Sequence, residues 1–328
     1  MSSWLNKNNA PIHTRKTRII PEGRFIQKDK PATVISAYYE MNSKHSLSDY
    51  NKWIELFLKD NNMYLIFFTE AHLAGFIQEC RRGYEEKTTI IILPRGEWLA
   101  NTYEQKVWDT LHTIDPEKSI HTPELYKIWF EKAEFVKRGI ELNPYKHDDF
   151  IWVDSGICRK ESLKKIIPNF PDASRIPIDR MMLLNISPFN RSDSETKAIN
   201  GIQFIGGVIP KQRIGGGVIC GRKEMWEKYY KVFYSTLDKY KNAGLFWGKD
   251  QDIMKTMVLE NKGLFSLIEA RPILQAKWQY LLVYLGSVKK IYERMLDEKM
   301  NKEEKSNEEL LSLGDNNEGI VHFLYYYR

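Results

Sequence analysis

The chain has 328 residues, 42% hydrophobic and 13% aromatic, enough to bury one large core or two ordinary ones. Its net charge of +6 comes from 49 basic residues interleaved with 43 acidic ones, which suits an anionic ligand and is too mild to argue for nucleic acid. Cys80, Cys158 and Cys220 are far apart, odd in number and form no CxxC, which argues against a disulfide framework and a structural zinc site and points to a reducing, cytoplasmic setting.

Residues 1–31 read as an irregular arm punctuated by Pro11, Pro21 and Pro31, polar and basic, without the apolar stretch of a secretory signal. Residues 32–328 read as one domain. No run of about 18 apolar residues occurs, so no spanning helix is expected, and membrane contact would be peripheral.

A β-branched run over Thr33–Ala37 predicts a first strand. The spacing of Leu47, Tyr50, Trp53, Ile54, Phe57 and Leu58 predicts a helix. Met63–Thr69 reads as a second strand, Ala71–Glu79 as helix, and Thr88–Pro94 as a third strand. This alternation is that of a parallel α/β sheet. A long helix follows over Thr122–Leu142, with Thr122 as N-cap and Pro123 at its first position. Its expected apolar face is Leu125, Ile128, Trp129, Ala133, Val136 and Ile140, with Lys127, Lys132, Lys137 and Arg138 elsewhere.

The apolar run Phe150–Val153 predicts a buried strand, and it ends abruptly in Asp154-Ser155-Gly156. From 179 to 221 the pattern changes to strands, at Arg180–Ile186, Gly201–Ile209 and Gly215–Cys220, a smaller antiparallel region. Helices over Lys223–Lys239 and Gln251–Asn261 and a strand at Phe265–Ile268 follow. Residues 296–311 read as a charged, solvated segment, and 319–328 as an aromatic end that packs back. The fold class is α/β, Rossmann-like, with a mostly parallel central sheet flanked by helices.

In open α/β sheets ligands bind outside the carboxyl ends of the strands, which makes Asp154 the leading contact for a metal or a diphosphate. Small Ser155 and Gly156 leave room for either. The plain alternative is an Asp that caps a turn. Gly206, Gly207, Gly215, Gly216, Gly217 and Gly221 do not make a dinucleotide fingerprint, because Cys220 interrupts it, and no G-K-[ST] phosphate loop exists. They suit close approach of backbone to a bulky ligand, or bulges in a sheet. In Trp247-Gly-Lys-Asp-Gln-Asp252, Asp250 can cap the next helix, or Asp250, Gln251 and Asp252 can bind sugar hydroxyls and supply a general base. His322 lies in an apolar run and reads more readily as core than as a ligand.

Phe150-Ile-Trp-Val-Asp-Ser-Gly-Ile-Cys-Arg159, Trp129-Phe-Glu-Lys132, Val34-Ile-Ser-Ala-Tyr-Tyr39, Gly215-Gly-Gly-Val-Ile-Cys-Gly221 and Asp250-Gln-Asp252 together resemble the HtrL/WlaTC-type proteins, a group assigned to glycosyltransferases. The resemblance spans roughly residues 33 to 325. More distantly the layout is similar to glycogenin-like and lipopolysaccharide galactosyltransferases of the GT-A fold, where a strand-end Asp-x-Asp holds Mn²⁺ and the donor diphosphate.

The resemblance implies a GT-A-like enzyme moving a hexosyl or pentosyl group from a UDP- or GDP-linked sugar to a hydroxyl acceptor. It implies Asp154 and His322 as ligands of Mn²⁺ or Mg²⁺, Asp250, Gln251 and Asp252 at the sugar, and Ala37 and Tyr38 against the base. Ser155, Gly156, Gly216 and Gly217 would line the donor. The departure is Gly156, which stands where the second carboxylate belongs; Lys132 or Arg159 would then neutralise the diphosphate. A nucleotidyltransferase and a non-catalytic carbohydrate- or nucleotide-binding module are the competing readings, with nucleic-acid binding last.

Overall fold

The computed structural model describes residues 23–26, 28, 30–165, 168, 170–189, 193, 212–270 and 277–286. The expected strand at 201–209, the charged segment 296–311, the aromatic end with His322, and residues 1–22 of the arm lie outside them.

Seven strands form one sheet: β1 (Thr33–Tyr38), β2 (Tyr64–Thr69), β3 (Thr88–Ile92), β4 (Asp149–Val153), β5 (Met181–Asn185), β6 (Ile214–Arg222) and β7 (Phe265–Glu269). Their order is β3-β2-β1-β4-β6-β5-β7. All neighbours run parallel except β6, which is antiparallel to both β4 and β5. Strands β1, β4 and β5 are buried at every position, as expected of parallel strands covered on both faces. Residues of β3, at the edge, are only partly covered.

Chain order grows outward in one direction through β1, β2 and β3, then returns to the other side of β1 with β4. The crevice between the ends of β1 and β4 is therefore a topological switch point, where such sheets bind ligands. Because β6 runs the opposite way, its N-terminal residues lie beside the C-terminal end of β4, with Val153 paired to Val218.

Helix α1 (Leu47–Leu58) starts with a capping box. The Asp49 amide donates to Ser46 Oγ at 3.1 Å, and the Ser46 amide donates to Asp49 Oδ2 at 3.2 Å. A short α2 (Ala74–Cys80) precedes β3. Helix α3 (Gln105–Ile114) was not foreseen in the sequence. Helix α4 (Pro123–Leu142) begins as read, with Thr122 accepting from the Leu125 amide, and ends at Asn143 in the left-handed conformation. Helices α5 (Lys223–Asn242), α6 (Asp250–Glu260) and α7 (Tyr280–Leu285) complete the layers.

The apolar face expected for α4 is buried only in part, at Ala133 and Val136. Leu125, Ile128, Trp129 and Ile140 are half-buried, while Tyr126, Phe130, Glu131, Lys132, Glu134 and Phe135 are buried. The physical reason is that α4 lies against β1 and β4 on one side and against α3 and α5 on others, so most of its surface is covered. Trp108, Phe130, Tyr103 and Trp247 meet beside it, with the Trp108 and Trp247 ring centroids 5.1 Å apart. This aromatic packing anchors the segment that leads into α6.

Candidate functional site

Asp154 follows β4 directly, and its amide donates to the Gly217 carbonyl at 2.8 Å, which fixes the backbone at the sheet's edge. Its Oδ1 accepts from Trp152 Nε1 at 2.8 Å and meets Lys132 Nζ at 2.9 Å. No hydrogen bond reaches Oδ2 among the described residues, and the side chain is 39% exposed. One oxygen is thus held by protein and the other is turned to solvent.

Lys132 was expected away from the covered face of its helix. Instead it is buried, and three oxygens surround its ammonium. Gly216 O accepts from Nζ at 3.0 Å, and Asp154 Oδ1 and Asp250 Oδ2 each lie at 2.9 Å. The ammonium thus pairs with both carboxylates while donating to the Gly216 carbonyl. Burial opposes the charge on Lys132, and the carboxylates of Asp154 and Asp250 outweigh it, raising its pKa above the lysine range. For Asp250 burial wins: its carboxyl is pushed up, with Lys132 pulling the other way.

Asp250 is the first residue of α6. The N-cap is Lys249, with no side-chain cap bond, so the sequence-based assignment of Asp250 as N-cap was one residue late. The Lys249 side chain is instead drawn into an ion pair with Glu117. Asp250 Oδ1 accepts from the Gln251 amide at 2.8 Å, so both of its oxygens are engaged inside the protein. Gln251 donates through Nε2 to the Ile214 carbonyl at 2.9 Å, and no described donor reaches its Oε1. Asp252 pairs with Lys255 one turn on, at 2.5 Å, rather than with Lys132.

Glycine in β6 permits this assembly. A Cβ on Gly216 would stand 2.7 Å from Asp250 Oδ2, and one on Gly217 would stand 2.9 Å from Ile157 Cδ1. The close approach is therefore between strand and side chain within the protein, not only between strand and ligand.

Ala37 and Tyr38 end β1 at the switch point, both buried. Tyr38 stacks near Tyr50, with ring centroids 6.1 Å apart, and its buried hydroxyl has no hydrogen-bond partner among the described residues. Burial, with Glu40 nearby, pushes its pKa up to about 12, so it stays a neutral donor. Tyr50, Trp53 and His45 form an aromatic wall. Arg159 lies over Trp53 at 4.7 Å and donates to the Gly156 carbonyl at 3.3 Å. Partial burial, with Arg159 and Lys44 near, holds His45 below the usual histidine range. Ser155 is buried between Asp154 and this wall's contact residue Gly156.

The wall was missed because the spacing of Tyr50 and Trp53 on α1 reads as a core face. The signal that would have found it is Gly156, whose missing side chain makes room for Tyr50: a Cβ there would lie 3.0 Å from Tyr50 Cε1 and 3.4 Å from Trp53 Cε3. The described residues do not by themselves make up the expected divalent-metal site. Among the described residues no three His, Cys, Asp or Glu side chains converge, Asp154 offers one unbonded oxygen, and Tyr50 faces the place of the missing second carboxylate. His322 lies outside the described residues.

An open, mostly parallel α/β sheet thus presents one carboxylate at its switch point, backed by a buried lysine and a second carboxylate. The chain belongs to the HtrL_YibB family, described as bacterial protein of unknown function, whose family model matches residues 32–280. No curated protein matches the chain. Among solved structures it is similar to the apo crystal structure of mouse xyloside xylosyltransferase 1, with 13% identity, a TM-score of 0.39, and coverage of 72% of this chain and 84% of that one. Among the described residues, no helix is long and apolar enough to cross a membrane.

Proposed function

We propose that the protein is a glycosyltransferase that moves a hexosyl or pentosyl group from a nucleoside-diphosphate sugar to a hydroxyl acceptor. The observation that carries this reading is the switch-point crevice, where the free Asp154 Oδ2 and the unpartnered Tyr38 hydroxyl stand at the ends of adjacent strands. A nucleoside diphosphate suits such a crevice, with its base on the Tyr38–Tyr50 pair and its phosphates near Asp154, Ser155 and Gly156. The resemblance in the Asp154 and Asp250-Gln251-Asp252 motifs supports the sugar-transfer chemistry.

In this reaction the bond between the anomeric carbon and the diphosphate oxygen breaks, and the nucleoside diphosphate leaves with the electron pair. The acceptor oxygen bonds to the anomeric carbon, and its proton passes to the departing diphosphate oxygen or to water. Arg159, stacked on Trp53, supplies positive charge for the leaving group. Gln251 Oε1 is available to accept from a sugar hydroxyl. Asp250 has both oxygens engaged, which suits it to holding Lys132 and the start of α6 rather than to taking a proton.

The test is thermal shift with UDP, GDP, CMP and their sugars, followed by product analysis. Ligands that bind only the folded state raise the melting temperature by mass action. Release of nucleoside diphosphate supports glycosyl transfer, and pyrophosphate indicates nucleotidyl transfer. Asp154→Asn is expected to abolish turnover with the fold intact; full activity would remove Asp154 from the site. A binding module is the second reading, favoured by the full engagement of Asp250 and the glycine at 156. Donor binding without turnover in the wild-type protein would establish it.

A further inference from the structure

We propose that the Lys132 ammonium is the resident cation of this site, occupying the position a divalent metal would take, so that Asp154 works without Mn²⁺ or Mg²⁺. That Asp154 acts on a nucleotide-sugar donor rests on the glycosyltransferase reading; the cation position itself does not.

The oxygen set around Nζ is the set a hard cation takes: two carboxylates, from Asp154 and Asp250, and one backbone carbonyl, from Gly216. They come from three separate elements, the end of β4, the start of α6 and the start of β6. All three contacts fall at 2.9–3.0 Å, the spacing of an ammonium among oxygens. A lysine ammonium is a compact point charge, and this one meets both carboxylates at the same 2.9 Å.

Two further features close the position to an exchangeable ion. The Lys132 and Asp250 side chains are 8% and 4% exposed, so an entering metal would have to displace a tethered, buried cation. Asp154 Oδ2 is the only oxygen of the cluster turned outward, and one carboxylate oxygen is a poor anchor for ions that need six or more ligands. Where a second strand-end carboxylate would supply another, Gly156 leaves the space to Tyr50.

The chemistry of replacement makes a distinctive prediction. Lys132→Met keeps the length of the stem and removes the charge, leaving two carboxylates and a carbonyl facing one another without a cation. A variant that folds should gain what the native protein lacks, a saturable Mn²⁺ site.

The experiment is Mn²⁺ titration followed by electron paramagnetic resonance, with melting temperature read in parallel, on the full chain freed of metal with EDTA. Wild type is expected to show no Mn²⁺ binding that depends on Asp154, and no metal-dependent rise in melting temperature. Lys132→Met is expected to bind one Mn²⁺ and to melt higher with it, and adding Asp154→Asn should remove both effects. Stoichiometric Mn²⁺ binding by wild type that Asp154→Asn abolishes would overturn the proposal, and so would a folded Lys132→Met that gains no site. Should Lys132→Met not fold, the wild-type titration decides alone.

Nucleotide shifts in EDTA separate this inference from the functional one. Binding of a nucleotide sugar in EDTA supports both. No nucleotide binding, with no Asp154-dependent Mn²⁺ site, leaves the cation assignment standing and removes the glycosyltransferase reading. Nucleotide binding only with Mn²⁺ held by Asp154 does the reverse.

Discussion

Replacing Gly216 by alanine tests whether the glycines of β6 serve the carboxylate–lysine cluster. The added Cβ would lie 2.7 Å from Asp250 Oδ2, 3.3 Å from Asp250 Cγ and 3.2 Å from Met254 Cε. Met254 is flexible and can yield. The Asp250 carboxylate cannot yield freely, because Lys132 and the Gln251 amide hold its two oxygens. Ordinary contact requires a displacement of roughly 0.7 Å, which overpacking in a closed site makes worth about 1–3 kcal/mol. For a domain of this size that is a fall in melting temperature of roughly 2–5 °C. Gly217→Ala is the matched control: its Cβ would meet the flexible tip of Ile157 at 2.9 Å and Asp154 Oδ2 only at the ordinary contact distance of 3.6 Å, so it should cost much less. Both proteins would be melted by circular dichroism and then titrated with nucleotide sugar. Equal stability of the two variants would refute the argument that Asp250 is pinned against β6.

Gly75, inside α2 with open space around its Cβ position, should gain stability on change to alanine by about 0.4–1 kcal/mol, read as a raised melting temperature. Tyr38→Phe removes a buried hydroxyl that no described residue satisfies, so it should leave the melting temperature unchanged or raised while weakening the shift produced by a bound nucleotide. Burial pushes the Glu131 carboxyl up to about 7, against the pull of the Ala100 and Leu99 amides it accepts from. A folded-state pKa raised above the unfolded value favours folding most below the unfolded value near 4.5, and the benefit is lost as pH rises through 7. The stability of wild type relative to Glu131→Gln should therefore fall between pH 5 and 8, on the order of 3 kcal/mol by linkage, and a flat difference in melts across that range would count against the buried carboxylate.

The strands were legible because each carries its own local signal. The apolar runs at β1, β2 and β4 are uninterrupted, and their alternation with helical spacing dictates a parallel sheet whatever else the chain does. Thr122 and Pro123 mark the start of α4 for the same reason, since a cap acts on amides two or three residues away. What was not legible depends on partners remote in sequence. Lys132 sits on a helix whose polar spacing points to solvent, and only the return of β6 and α6 to the end of β4 turns it into a buried cation. The same return changes what Asp250 can do. Its neighbours on the chain suggest a cap or a base, whereas the three-dimensional arrangement commits both its oxygens before any ligand arrives. Asp154 and Asp250 were each readable as candidates; that one ammonium joins them was not, because the charge that links them is supplied from a third element. Gly216 and Gly156 mark the links on the sequence, since a glycine is needed where one remote side chain must come within contact of another strand or turn. On the proposed glycosyltransferase reading, the chemistry at the switch point would fall to the groups that no other described residue engages, the Asp154 Oδ2, the Gln251 Oε1 and the Tyr38 hydroxyl, with Lys132 and Asp250 holding the first two in register.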